Sequence, residues 1–343
     1  MKREVNRRDF VRITAVGAGV LALGGWGVKE LIESGSAQEF AETRALLGTF
    51  ITIKLIDTES ERAKGAIEDA FAEIERLSLI LSRHDPASEL SILNNTGALA
   101  NASPELVGVV QKAVAFSDLT GGAFDVSVLP LLKLYGDSFA DGGDPPTEKA
   151  IDTARELVDY RRIEIKNRSI TLAAPGMGLT LDGIAKGYVV DQAAALLKAR
   201  GLTQVMVEAG GDMSLRGMRQ DGAPWKIGLT HPRALAGYYE VIQTSNDCLA
   251  TSGDYENAFT ADYSWHHIID PRLGHSPREV ASATVVAADT AYADALATAA
   301  MVMGVTDSLA LFENLPGVQA LLIDKAMKSY TTGGFEATTT SIV

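Results

Sequence analysis

Apolar and polar positions along this chain recur with two different periods, which predict both strands and helices. From Phe50 to Ile56 the side chains alternate in polarity, as in a half-buried strand. Between Ser60 and Leu81 the apolar residues follow a helical spacing. They are Ile67, Phe71, Ile74, Leu77 and Leu81. Ser103 followed by Pro104 predicts the N-cap and first turn of another helix, which we expect to reach about Asp118.

The rest of the pattern predicts an α+β fold. Gly, Asp and Pro are frequent between Asp137 and Pro146, which indicates a surface loop, and a helix is expected at Thr147–Leu157. Short strands are expected at Arg162–Ile165, Ile170–Leu172, Gln204–Glu208, Trp225–Leu229, Tyr238–Thr244 and Ala281–Ala287. Two helices, Tyr292–Met303 and Asp307–Leu315, precede a last strand at Val318–Ile323. Because the helices do not separate the strands as regularly as in a doubly wound sheet, we expect mixed sheets with flanking helices.

The first residues have the pattern of an export signal. Asn6–Arg12 contains a twin-arginine pair, and Ile13–Val28 is a Gly-rich, weakly apolar run that is short for a membrane-spanning helix. The small residues Gly35-Ser-Ala37 predict a cleavage point after the alanine. We therefore expect a signal over residues 1–37 and a functional domain over 38–343, located in the periplasm, or anchored on the outer face of the membrane if the signal is retained. The alternative interpretation is a basic arm followed by a loose helix.

Composition narrows the class of partner. The 343 residues are 46% apolar, enough to bury a sizeable core in one large domain or two interlocked lobes. The formal net charge of −13 argues against nucleic acid, and a strongly anionic ligand then needs local positive charge or a metal ion. The single cysteine, Cys248, excludes an internal disulfide and lies in an apolar run typical of a buried strand.

The segment from Leu181 to Gly211 carries the first candidate chemistry. Lys186 and Gly187 stand at the start of a predicted helix, whose free backbone N–H groups favour an anion such as phosphate. The Gly210–Gly211 pair after an apolar strand lets a ligand approach the backbone closely. The alternative is that the lysine is only a solvated side chain near an ordinary helix start.

Asp294 and Thr298 form a second candidate site. Their spacing of four residues places the carboxylate and the hydroxyl on the same side of a predicted helix. Oxygen ligands of this kind suit Mg²⁺, which also keeps waters and phosphate oxygens in its shell. The alternative is that Asp294 caps the helix and Thr298 packs against a neighbour.

Several segments in a fixed order give the chain a resemblance to a known family. They are Leu47–Thr49, Ser82–Asn94, Gly121–Pro130, Asp182–Gly187, Ala250–Tyr255 with His266–Gly274, and Ala293–Thr298. In this order they resemble the ApbE family of FAD:protein FMN transferases, from about Leu46 to the C-terminus. The resemblance implies the compact fold of that family, in which two lobes are intertwined.

The resemblance also implies roles for individual residues. Asp294 and Thr298 would hold Mg²⁺ together with the backbone carbonyl of Gly183, and Lys186 would lie beside the phosphates of FAD. The remaining flavin-site positions are Leu47, His84, Ala123, Phe124, Asp125 and Ile268.

Two positions depart from the family pattern. The family has an acidic residue where this chain has Thr180, and here the nearest carboxylate is Asp182. On a strand the two would share a face, so Asp182 is expected either to replace the missing carboxylate in the FAD site or to support it. Leu273 replaces the threonine that commonly follows Asp-Pro-Arg in the family.

His267 is the candidate general base. An unperturbed imidazole titrates near neutral pH, which suits proton abstraction, and His267 matches the family histidine before Ile-Ile-Asp-Pro. In an extended segment its neighbour His266 would point elsewhere. Asp270 is expected to orient either the loop or the imidazole.

The reaction implied by the resemblance is Mg²⁺-dependent transfer of FMN from FAD to a threonine or serine hydroxyl of an acceptor protein, with release of AMP. FAD and Mg²⁺ are the expected substrate and cofactor. The implied acceptors are exported or membrane redox subunits of the Rnf type, subunits of the sodium-pumping NADH:quinone reductase (Nqr), and FMN-binding reductase domains. Two alternatives remain. One is a Mg²⁺-dependent FAD pyrophosphatase and the other is a non-enzymatic exported flavin-binding protein, although retention of His267, Asp294 and Thr298 argues against mere storage.

Overall fold

The computed structural model describes residues 37–234 and 236–335. Apart from Ala37, the predicted signal segment lies outside the described residues. The described part contains seven α-helices and thirteen strands. The helices are α1 (Ser60–Leu81), α2 (Glu89–Thr96), α3 (Pro104–Leu119), α4 (Leu129–Ser138), α5 (Glu148–Arg155), α6 (Ala185–Ala199) and α7 (Thr290–Phe312). The strands are β1 (Gln38–Leu46), β2 (Thr49–Asp57), β3 (Ala98–Leu99), β4 (Ile163–Lys166), β5 (Ser169–Leu172), β6 (Val205–Ala209), β7 (Asp212–Arg216), β8 (Trp225–Thr230), β9 (Tyr238–Thr244), β10 (Cys248–Gly253), β11 (Val280–Ala287), β12 (Gln319–Asp324) and β13 (Ser329–Thr331).

An eight-stranded sheet organises the fold. Its strand order is β1-β2-β6-β7-β10-β11-β12-β13, with a three-stranded sheet β3-β5-β4 and the hairpin β8-β9 beside it. Every described strand pairing is antiparallel, so the pairing is more uniform than the mixed sheets we expected. Sheets and helices are nevertheless combined without alternating strand–helix units, and the predicted α+β class is confirmed.

The large sheet is covered on both faces. On one face, Ile51, Ile53 and Leu55 of β2 are buried in the main apolar cluster, to which α1, α6 and α7 contribute their inward sides. On the other face, alternate residues such as Ile56 and Met213 pack against the β8–β9 hairpin. Burial of one large apolar side chain contributes about 1.5–3 kcal/mol, so this two-sided packing holds the central strands in place.

Periodicity predicted the long elements well and the short ones less well. Helix α1 has the bounds that its apolar spacing predicted, and Ser103 caps α3 by accepting the Leu106 N–H at 3.2 Å. The two predicted C-terminal helices form one segment with a break at Gly304, whose φ is 78°. Helices α2 and α4 and the polar edge strand β1 were not predicted, because none of them shows a clear periodic pattern.

Helix α7 is also the one described helix that is long and apolar enough to cross a membrane. Its most apolar window is 61% buried inside the protein, and α7 packs against β10, β11 and α6. A buried helix at the centre of a core has the same composition, and the contacts of α7 are those of a core helix.

Candidate active site

The starts of α6 and α7 meet at the centre of the site. A Cβ atom on Gly187 would lie 2.5 Å from the carbonyl oxygen of Thr290, so glycine is needed for this close approach. The Asp191 carboxylate on α6 accepts the backbone N–H groups of Thr290 and Ala291 at 2.8 and 3.0 Å. These contacts fix the first turn of α7 relative to α6, and with it the direction of the side chains that follow.

Asp294 is not the cap of its helix. Asp289 fills that position and accepts the Tyr292 N–H at 2.9 Å. Asp294 is 2% exposed and accepts the Gly187 N–H at 3.2 Å, so it faces the start of α6. The positive end of α6 is therefore directed at Asp294. The Gly187 N–H, which we had expected to be available for phosphate, is bonded to the Asp294 carboxylate instead. Burial raises the pKa of Asp294 well above its usual range, and the neighbouring Asp212 carboxylate raises it further.

Thr298 and Gly183 lie together beside Asp294. A Cβ atom on Gly183 would lie 2.9 Å from Thr298 Oγ1, and Thr298 Oγ1 is 3.2 Å from Ser252 Oγ. Gly183 is thus in contact with Thr298, which lies one turn after Asp294 on α7. A carboxylate, a hydroxyl and a backbone carbonyl are hard oxygen ligands of the kind that Mg²⁺ prefers. The described residues contain no group of three His, Cys, Asp or Glu side chains suited to a metal, so a cation here depends on the hydroxyl and the carbonyl as well.

Lys186 is held by carboxylates. Its Nζ atom lies 2.5 Å from Asp212 Oδ2 and 3.9 Å from Asp294 Oδ1. Although burial alone would lower it, the pKa of Lys186 is raised above its usual range by these two carboxylates. The alternative of a merely solvated lysine is therefore wrong.

Asp212 is a site residue that the sequence analysis did not identify. It is 1% exposed, and its second oxygen, Oδ1, is buried without a hydrogen-bond partner in the described part of the chain. Burial raises the pKa of this carboxyl, against the opposing effect of Lys186. The one indication of its role in the sequence was its position directly after Gly210–Gly211, which follow the fully buried strand β6.

His267 lies at the edge of this group with a free ring nitrogen. Its backbone N–H is bound to the Asn257 carbonyl at 3.0 Å, while Nδ1 is buried and has no partner among the described residues. Burial lowers its pKa to about 4, His266 and Lys186 lower it as well, and Asp182 opposes them. The imidazole is therefore neutral at pH 7 and able to accept a proton.

The neighbouring His266 points away, as expected. It is fully buried, its Nε2 lies 3.1 Å from the Pro277 carbonyl oxygen, and its ring plane makes an angle of 69° with that of His267. Asp270 contacts Arg272 through Nε at 2.9 Å and Nη2 at 2.8 Å, so it orients the loop and not the imidazole.

We expect the two buried histidines to make the folded protein less stable in acid. Burial lowers the pKa of both His266 and His267 to about 4, whereas an unfolded chain titrates near 6.5. Because the unfolded state binds more protons, their contribution to the free energy of unfolding is fully present above about pH 6.5 and is lost as the pH falls through about 4. Urea unfolding at a series of pH values should show a shallower decline over this window when both are replaced by glutamine. An unchanged slope would contradict the prediction.

Asp182 does not take the place predicted for it. It lies in a turn and not on a strand, its side chain is 49% exposed, and its Oδ2 accepts Arg83 Nε at 2.6 Å. Thr180 is buried instead, and its hydroxyl accepts the Asp182 N–H at 3.2 Å. The prediction of a shared face was wrong because the apolar run before Asp182 belongs to no strand and Asp182 lies in the turn that follows it. Asp182 remains close enough to raise the pKa of His267.

Part of the predicted Ala123-Phe124-Asp125 segment lies next to the site. Ala123 and Phe124 are buried, and the ring of Phe124 would lie 3.1 Å from a Cβ atom on Gly183. The Asp125 carboxylate accepts the Ser127 N–H at 2.8 Å and caps the turn that follows. Its role in the described structure is thus to hold the segment in position.

The other residues predicted to bind flavin differ in how deeply they are buried. Leu47 is half-buried in the tight β1–β2 turn with a φ of 53°, and Gly210 packs against Thr49 next to this turn. His84 is exposed in the loop after α1, where burial of the ring and Arg83 lower its pKa and Asp182 opposes them. Ile268 is buried in the main apolar cluster.

Comparison with known proteins identifies the family to which the chain is similar. The profile described as the ApbE family matches residues 47–322. A protein of Vibrio cholerae named FAD:protein FMN transferase is 32% identical over 293 residues, which cover 82% of this chain and 84% of that protein. A protein of the same name from Treponema pallidum is 29% identical over 318 residues, with coverage of 85% and 87%.

Comparison with solved structures indicates the same family. The flavin transferase ApbE from Vibrio cholerae superposes with a TM-score of 0.76 at 30% identity, and covers 87% of this chain and 98% of its own. The ApbE protein from Thermotoga maritima gives a TM-score of 0.78 at 29% identity with the same coverage. The match in sequence extends over most of the fold and includes every element of the site, and the chain therefore belongs to the ApbE family.

Proposed function

We propose that the protein is a transferase that moves FMN from FAD to a threonine or serine hydroxyl of an acceptor protein, in a Mg²⁺-dependent reaction that releases AMP. The observation that carries this proposal is the meeting of Gly183, Asp294 and Thr298 beside Lys186 and His267. It occurs in a chain whose relatives are named FAD:protein FMN transferases.

Each residue has a defined task in this reaction. Mg²⁺ held by Asp294, Thr298 and the Gly183 carbonyl would supply charge neutralisation at the phosphate oxygens of FAD. The neutral His267 imidazole accepts the proton of the acceptor hydroxyl, and the hydroxyl oxygen forms a bond to the FMN-side phosphorus. The bond between that phosphorus and the bridging oxygen breaks, and AMP leaves with that oxygen. The phosphates of FAD raise the pKa of His267 from its low value and so strengthen it as a base.

Intact-mass analysis tests the proposal directly. Purified protein is incubated with FAD, Mg²⁺ and a candidate acceptor domain, and a parallel sample contains EDTA. A gain of one FMN on the acceptor, AMP in equal amount and no reaction with EDTA are expected. Free FMN and AMP with an unmodified acceptor would indicate the pyrophosphatase instead. Bound but unreacted FAD would indicate a flavin-binding protein.

The place of action is a further part of the proposal. We infer export by the twin-arginine route, so that the acceptors are exported or membrane redox subunits of the Rnf or Nqr type or FMN-binding domains. The Arg7–Arg8 pair supports this inference, and the net charge of −13 makes nucleic acid an unsuitable partner. Contact with the membrane is then limited to the N-terminal segment, if it is uncleaved.

Replacement of Arg7 and Arg8 by two lysines should leave the precursor in the cytoplasm. The charge is unchanged, but the pair is recognised by a receptor and not by charge alone. Cell fractionation and immunoblotting provide the measurement, with Arg3→Lys as the matched control that is expected to be exported. Equal export of the double variant and the control would rule out the twin-arginine route.

A further inference from the structure

The centre of the site holds more carboxylates than ammonium groups. Asp212 and Asp294 are both nearly inaccessible, and the one ammonium group among them is that of Lys186. Glu256 is close enough to Lys186 for the two side chains to interact electrostatically. One ammonium group balances one carboxylate, so the second carboxylate needs either a proton or a further cation in this poorly solvated position.

The oxygen atoms of the two carboxylates are unequally satisfied. Asp212 Oδ2 receives Lys186, Asp294 Oδ2 receives the Gly187 N–H, and Asp294 Oδ1 lies within 3.9 Å of Lys186. Asp212 Oδ1 is buried and receives no hydrogen bond from the described residues. A buried carboxylate oxygen needs a proton donor or a cation, and here it lies next to the carboxylate already assigned to Mg²⁺.

We propose that Asp212 is a further ligand of the divalent cation held by Asp294, Thr298 and Gly183, and that Lys186 neutralises part of the charge of the two carboxylates before the cation binds. This inference rests on the proposed function for the identity of the site. Protein sites for Mg²⁺ commonly offer one or two carboxylates together with substrate phosphates, so a second aspartate fits the cation. A bound cation would weaken the attraction between Lys186 and the two carboxylates, and the ammonium group would then be available to the phosphates of FAD.

Cation binding without FAD tests the proposal independently of catalysis. Mn²⁺ serves as the probe, with the free ion measured by electron paramagnetic resonance and Mg²⁺ used as competitor. Asp294→Ala should lose the site. Asp212→Asn should raise the Kd by about 10-fold to 100-fold or more, the range found when groups that support a metal site are removed. Lys186→Met should lower the Kd, because the competing positive charge is gone.

A double variant separates a ligand from a mere partner of the lysine. If Asp212 acts only by holding Lys186, Asp212→Asn should have no effect on the Kd in the Lys186→Met background. If it is a ligand, the loss of affinity should persist there. Glu256→Gln is the matched control, since it replaces a second carboxyl group that interacts with Lys186 but has no buried, unpartnered oxygen among the described residues. It should change the Kd far less than Asp212→Asn.

The increase in Tm on addition of Mn²⁺, compared with EDTA, shows whether each variant is folded and binds the ion. Equal Kd values for Asp212→Asn and the parent, or an effect that disappears with Lys186→Met, would overturn the proposal and leave FMN transfer untouched. A parent that binds no ion would overturn it too. Absence of FMN transfer together with the expected Kd pattern would refute the proposed function alone.

Discussion

Asp294→Ala is expected to abolish Mg²⁺-dependent FMN transfer, with a loss of at least about a hundredfold, because removal of groups that only support a metal ligand already costs about 10-fold to 100-fold. The carboxylate is buried, faces the Gly187 N–H and adjoins Thr298 on the same helix face. The measurement is FMN incorporation into the acceptor over a series of Mg²⁺ concentrations.

Asp289→Ala is the matched control for this prediction. It changes the same residue type in the same helix, but Asp289 caps α7 through the Tyr292 N–H and takes no part in the proposed ion site. Loss of such a cap costs about 1 kcal/mol of stability and should leave transfer largely intact. Full activity of Asp294→Asn would show that the carboxylate is not a ligand, since the amide keeps its shape and loses its charge.

His267→Ala is expected to bind FAD nearly as well as the parent and to transfer FMN about 10²-fold to 10⁴-fold more slowly, the usual range for loss of a general base. The base acts on the incoming hydroxyl, whereas phosphate and metal contacts determine the affinity for FAD. Fluorescence titration with FAD and single-turnover transfer measure the two effects separately.

His266→Ala should instead lower the stability of the protein and leave the rate of FMN transfer largely unchanged. This imidazole is fully buried and lies 3.1 Å from the Pro277 carbonyl, so its removal leaves a cavity and an unpaired carbonyl that lower the Tm. Transfer well below the Tm should change little. A sensitive His266 with a tolerant His267 would show that the motif has been aligned one residue out of register. If both are tolerant, another group must activate the hydroxyl, and the mechanism proposed here fails.

Local pattern was sufficient to place some of the elements. The bounds of β9 and α1 agree with the prediction, because Tyr238–Thr244 and Ser60–Leu81 are each flanked by residues that interrupt the pattern. Strand β1 was missed because it is a polar edge strand, and no residue on it is fully buried. Edge strands carry little apolar alternation, so periodicity cannot find them.

The candidate site depended on motifs whose spatial relations the sequence does not contain. Asp294 was selected for its spacing to Thr298, but only the structure shows that Asp289 is the cap of the helix and that Asp294 accepts the Gly187 N–H. Asp182 was placed on a strand in the prediction, since a short apolar run outside a sheet and a strand look alike in sequence. Asp212 was missed because its meaning comes from Lys186, 26 positions earlier in the chain.

The strand order of the large sheet limits how the protein can be rebuilt. Strands β1 and β13 form its two outer edges, with six strands between them. Seven spacings of about 4.8 Å separate these edges by about 34 Å in a flat sheet. A circular permutant that joins the residues before β1 to those after β13 would need about ten extended residues, at about 3.3–3.6 Å each, merely to cross the sheet. Fluorescent tags fused beyond β1 and β13 would report on opposite sides of the enzyme.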